Sequence, residues 1–102
     1  YVIVRKDLSI AQQMVQAIHS AMLSNHSHGN LTEETRLALL SVDNEEHLLD
    51  IEKKCQINDI NYEKFFEPDN MIGWSSLTTA PIKRKQGKVF KSLSLWKAEE
   101  LT

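Results

Sequence analysis

The stretch "YVIVRKDLSIAQQMVQAIHSAML" (residues 1–23) reads as a strand that runs straight into a helix, and the architecture follows from it. Tyr1 to Val4 is a β-rich apolar run bounded by Arg5, Lys6 and Asp7, short and continuous enough for a buried strand. Ser9 then offers a helix N-cap, and Gln12 completes a Ser-x-x-Gln capping box. The pattern predicts a helix from about Ile10 to Ser24, ended by the turn chemistry of "SNHSHGN".

At about 100° per residue, Ile10, Ala11, Met14, Val15, Ala17, Ile18, Ala21 and Met22 cover one arc of this helix, the expected core face. Gln12, Gln16 and His19 fall on the opposite side within roughly 60° of one another, and Leu23 extends the same line. Solvated faces normally carry Lys, Glu and Arg, yet residues 10–24 hold no formal charge. A line of amides and imidazole suits hydrogen bonding to something packed nearby. Two readings stay open, a solvated face and the wall of a site or partner contact.

Further along, "TRLALLSV" is bounded by acidic turns and favours a second buried strand, although its leucines would also fit a helix. Asp43 and Glu46 form another expected capping box. "EEHLLDIEKKC" then sets Leu48, Leu49, Ile51 and Cys55 on one arc, with acids early and lysines late as the helix dipole favours. Ile60 to Phe66 is a third strand candidate, closed by Pro68. "WSSLTTAPI" is a fourth, ended by Pro81. The predicted order is β-α-β-α-β-β, an α/β layer fold with a small four-stranded mixed sheet, helices packed on it and right-handed crossovers. Residues 1–82 form the expected domain. Residues 83–102, opening on "KRKQGK", are a C-terminal extension that could supply a fifth edge strand, a short helix or a docked tail.

The 102 residues suit one domain, and 41% hydrophobic with 25% charged residues is a globular composition. No apolar run is long enough to cross a bilayer and no leader pattern is read at the start, so no membrane partner is expected. The lone Cys55 allows no intrachain disulfide, which suits a reducing cytoplasm, and it reads as core packing. Residues 1–82 hold six Lys/Arg against twelve Asp/Glu, whereas residues 83–102 hold six against two. An acidic body is a poor match for a phosphate backbone, so any nucleic-acid contact would lean on the basic tail.

His19, His26, His28 and His47 lack the converging spacing of a zinc site, and no metal or cofactor is expected. There is no G-x-S-x-G elbow, P-loop, dinucleotide fingerprint or HExxH motif, which removes several common enzyme classes. "FFEPDNMIGWSS" concentrates the remaining signal. Glu67 and Asp69 lie just beyond a predicted strand end, where α/β sheets collect ligands, and Ser75, Ser76, Thr78 and Thr79 follow. Asp69 reads either as an Asx-type turn cap or as a carboxylate that holds a hydroxyl or water for ester cleavage.

"YVIVRKDL", "AQQMVQAIHSA", "EPD" and "SSLTTAPI", in that order, resemble the type II peptidyl-tRNA hydrolases and their short phage and bacterial relatives. Arg5, Asp7 and Leu8 match the family's R-x-D-L. Gln16 and His19 match its Q-x-x-H-A, with Ser20 for Ala. Leu77 and Pro81 match its T-x-L-x-x-x-P, with Ser75 for Thr. The resemblance covers about residues 1–82 and implies a cofactor-free enzyme that hydrolyses the ester joining peptide to tRNA. It implies that Asp69 positions water, Ser75 holds a reacting oxygen, and Gln12 stands where the family places a lysine. Gln16, His19 and Thr78 would then contact substrate. Gln12 can hydrogen-bond but supplies no positive charge for an oxyanion. The alternative is a non-catalytic binding domain that kept the fold and lost the lysine, with a protein, a nucleotide or tRNA as partner and a dimer compatible with it.

Overall fold

The computed structural model describes residues 1–29, 32 and 34–98. Its strands are β1 (Val2–Arg5), β2 (Leu39–Val42), β3 (Tyr62–Glu67), β4 (Gly73–Thr79) and β5 (Ser94–Leu95), and its helices are α1 (Ile10–His28) and α2 (Glu45–Ile57). They form an α/β fold around one mixed sheet in the order β3-β4-β1-β2-β5. β1 and β2 are parallel, as a strand–helix–strand unit requires, while β4 runs antiparallel to both β1 and β3.

The expected count of four strands is corrected to five among the described residues. Leu95 and Ser94 pair with Leu40 and Ser41, and the Trp96 amide donates to the Leu39 carbonyl at 2.9 Å. The tail thereby covers an edge of β2 that would otherwise present unpaired backbone groups. Before it, the 3-10 segment Arg84–Phe90 leaves Lys83, Arg84, Lys85 and Lys88 exposed and drives Phe90 into the core against Tyr1.

The two faces of the sheet differ in chemistry. In β4, Leu77 points to one side and Ser76 and Thr78 to the other, as strand alternation dictates. The Leu77 side, with Ile3, Leu40 and Val42, meets Leu48, Ile51 and Cys55 of α2 to make the hydrophobic core. Those three belong to the four-residue arc the periodicity predicts, and the fourth, Leu49, is only half-buried. The α2 cap is corrected by one position: Asn44, not Asp43, accepts the His47 amide at 2.9 Å, while the Asp43 amide donates to His47 Nδ1.

The second face carries the main correction. α1 extends to His28 rather than Ser24, and its buried residues are Gln13, Gln16, Ser20 and Ser24. The predicted core arc faces outward: Met14 is 58% exposed, Val15 49%, Ile18 57% and Met22 66%. The cause lies in β4. Its buried Ser75, Ser76 and Thr78 bring hydroxyls beneath α1, and buried hydroxyls must find partners or cost about 1–3 kcal/mol each. α1 meets that demand by turning its amides and hydroxyls inward.

Candidate functional site

At the carboxyl end of β1, Arg5 is buried and its guanidinium grips Asp7 through two bonds, Nε to Oδ1 at 2.9 Å and Nη2 to Oδ2 at 2.8 Å. The same guanidinium donates to the carbonyls of Ile72 and Trp74, which ties β1 to the β3–β4 loop. The Asp7 carboxylate raises the Arg5 pKa above its already high ordinary value. Glu45, in the first turn of α2, accepts the Trp74 amide at 2.8 Å. Gly73 adopts a φ of +78°, where a side chain would be strained and its Cβ would displace the Glu45 carboxylate, 2.1 Å away.

Above this frame Gln16 sits at a junction. Its Oε1 accepts the Ser75 hydroxyl at 2.6 Å, its Nε2 donates to Glu67 Oε2 at 3.2 Å, and its carbonyl accepts the Ser76 hydroxyl at 2.6 Å. Two consecutive residues of β4 reach the same helix because the register shifts by one residue between Phe65 and Phe66. That shift leaves Ser75 as the extra residue of a β-bulge. Gln13 extends the seam, donating to the Leu8 carbonyl at 2.7 Å and accepting the Trp96 indole N–H at 2.6 Å. Ser20 and Thr78 share a 2.8 Å hydroxyl pair, and Ser24 donates to the Thr79 carbonyl.

The predicted site residues are brought together only in part. Gln16 and Ser75 are bonded directly. His19 is exposed and stacks flat on Phe65, with ring centroids 4.3 Å apart and planes 4° from parallel. Gln12 is occupied by the predicted capping box, its Oε1 accepting the Ser9 amide at 3.1 Å. Thr78 is buried in its pair with Ser20. Asp69 stands exposed on a 3-10 turn, Asp69–Met71, and its amide donates to Glu67 Oε1 at 3.1 Å. Asn70 and Met71 follow with positive φ, and Met71 projects into solvent. The Glu67 carboxyl is held below its ordinary pKa, first by the Gln16 amide and then by the Asp69 amide.

Chemically, the junction holds its groups rather than frees them. Ser75 is fully buried, and its hydrogen points at an amide oxygen instead of a base. Among the described residues every buried side-chain nitrogen and oxygen has a partner, and no group of His, Cys, Asp and Glu has the geometry of a metal site. Burial pushes the Cys55 thiol up to about 11, away from nucleophilic use. A cavity of about 850 Å³ lies at the other end of the sheet between the last turns of α1 and the amino end of β1, where Ser24, His28 and Thr79 help to line it. Gln13 and Trp96, which help to organise the site, escaped the sequence reading, and Arg5 entered it only as the end of a strand and a match to R-x-D-L. The signal for Gln13 was present in the polar spacing 13, 16, 20, 24, one buried stripe of a helix.

No protein-family model matches the chain, and no curated protein matches it. Among the described residues no helix is long and apolar enough to cross a membrane.

Proposed function

We propose that this chain is a non-catalytic association domain, a peptidyl-tRNA hydrolase-like fold that binds a protein partner through the outward face of α1. One observation carries the reading: α1 buries its glutamines and serines and leaves Met14, Val15, Ile18 and Met22 in solvent. A run of half-exposed aliphatic side chains on one helix is a contact surface by its chemistry. The residues that a hydrolase would need are already engaged, Gln12 in a helix cap and Ser75 in a bond to Gln16. A reducing cytoplasm suits the single buried thiol.

The competing reading, hydrolysis of a peptidyl-tRNA ester, draws on the two carboxylates Glu67 and Asp69 at the edge of the junction. Ester turnover separates the two. Wild type and Asp69→Ala should both release N-acetylamino acid from N-acetylaminoacyl-tRNA at the rate of buffer alone. Turnover above that background, abolished by Asp69→Ala in a folded protein, would replace association with catalysis.

A further inference from the structure

Four features of the outward α1 face bear on what it meets. Ala11, Val15, Ile18 and Met22 follow one another at steps of four, three and four residues, the spacing of a helix–helix seam. The face is nearly symmetric about Ile18, with a methionine four residues to either side, Met14 and Met22. Residues 10–24 hold no Lys, Arg, Asp or Glu, so charged positions flanking the seam of a foreign helix would meet no complement here. The fourth feature is area. At roughly 120 Å² per fully exposed aliphatic side chain, Met14, Val15, Ile18 and Met22 offer on the order of 300 Å² of apolar surface.

We infer that the partner is a second copy of this chain, bound through antiparallel packing of α1 on α1 about a two-fold axis at Ile18. The inference rests on the association reading and names its partner. A two-fold sets Met14 of one copy against Met22 of the other and Ala11 against Asn25, and it brings Ile18 onto itself. Like must then meet like near the axis, which an uncharged stripe tolerates and a charged one does not. A standard interface removes about 800 Å² per partner, somewhat over half of it apolar. The roughly 300 Å² of apolar surface on α1 falls short of that share, even flanked by Ala11 and Asn25, so the dimer is weak and reversible.

Sedimentation of the full chain from about 10 µM to about 1 mM brackets a contact of that strength. The wild-type mass should climb from one copy toward two, and Ile18→Glu, which sets two carboxylates at the axis, should weaken association at least about tenfold. Oxidative cross-linking tests the geometry, with Cys55 kept out by its burial. Ile18→Cys should link to itself, and Met14→Cys should link efficiently only when mixed with Met22→Cys. A wild type that stays monomeric throughout overturns the second copy while leaving α1 open to a different protein. Self-linking of Met14→Cys as efficient as the mixed link means parallel helices and overturns the axis. An Ile18→Glu chain that is folded and still dimeric places the contact elsewhere and overturns the inference. If Ile18→Glu and Ile18→Gln both unfold by circular dichroism, the apolar arc is core, and the association reading falls with it.

Discussion

The two helices of this domain lie on opposite faces of one sheet and are held there by different physics. α2 presents Leu48, Ile51 and Cys55 to Ile3, Leu40, Val42 and Leu77, an apolar seam with no directional demand. α1 presents Gln16, Ser20 and Ser24 to a strand of serines and threonines and Gln13 to Leu8 and Trp96, a seam made of hydrogen bonds between side chains and backbone. The first seam gains its stability from area removed from water. The second gains little net energy from each bond, and its importance lies in the cost of leaving any one of them unmade.

That contrast sets the scale of what substitution should do. Leu48 is fully buried in the α2 seam, and Leu48→Ala removes its methyl groups and leaves a cavity. The expected loss is about 2–5 kcal/mol, a large part of a small domain's stability. Urea unfolding followed by circular dichroism measures it. A loss under about 1 kcal/mol would mean that the α2 face is not the core.

In the α1 seam the order of substitutions matters more than their number. Gln16→Met keeps the length of the side chain but takes the acceptor from Ser75 and the donor from Glu67, for an expected cost of about 1–3 kcal/mol. Adding Ser75→Ala removes the hydroxyl that has lost its 2.6 Å partner and keeps only the longer 3.3 Å bond to the Phe65 carbonyl. That should return part of the cost and give a coupling of about 0.5–2 kcal/mol in a double-mutant cycle. Strictly additive effects would show that the 2.6 Å bond carries no energy and that the seam is held by something else.

This difference also explains what could be read from the sequence. Along α2 the buried Leu48, Ile51 and Cys55 all fall on the predicted apolar arc, with Leu49 half-buried at its margin, because a hydrophobic seam needs nothing from its partner except more apolar surface. Along α1 the apolar and buried arcs are opposed, because burial there is dictated by the hydroxyls of Ser75, Ser76 and Thr78, more than fifty residues away in the chain. A helical wheel weighs apolarity alone and so turns α1 inside out. The uncharged line at Gln16 was visible, as was the run of hydroxyls in "WSSLTT", but the bulge that aims both serines at one helix follows from strand register. β5 is two residues long, too short for periodicity to register. Asp69 and Ser75 fall in one loop-and-strand segment as expected, yet one side chain is exposed and the other fully buried.

The smallest expected effect falls where the α1 seam reaches solvent. Glu67 has its pKa lowered from the ordinary 4.5 because the Gln16 amide and the Asp69 amide both donate to its ionised carboxylate. A depressed folded-state value means that ionised Glu67 adds stability above pH 4.5 and that this contribution is lost as the pH falls through the lower, folded value. Glu67→Gln can keep a hydrogen bond to Gln16 but cannot titrate, so its stability should fall less steeply than that of wild type below pH 4.5. The carboxylate is solvent-screened, which keeps the difference modest and makes it shrink in high salt. The apolar α2 seam should show no such acid limb, so Leu48→Ala should keep the wild-type pH dependence at a lower level. Parallel wild-type and Glu67→Gln curves from pH 6 down to about 3 would break the comparison, because the α1 seam would then end at Gln16 and Ser75 without its carboxylate.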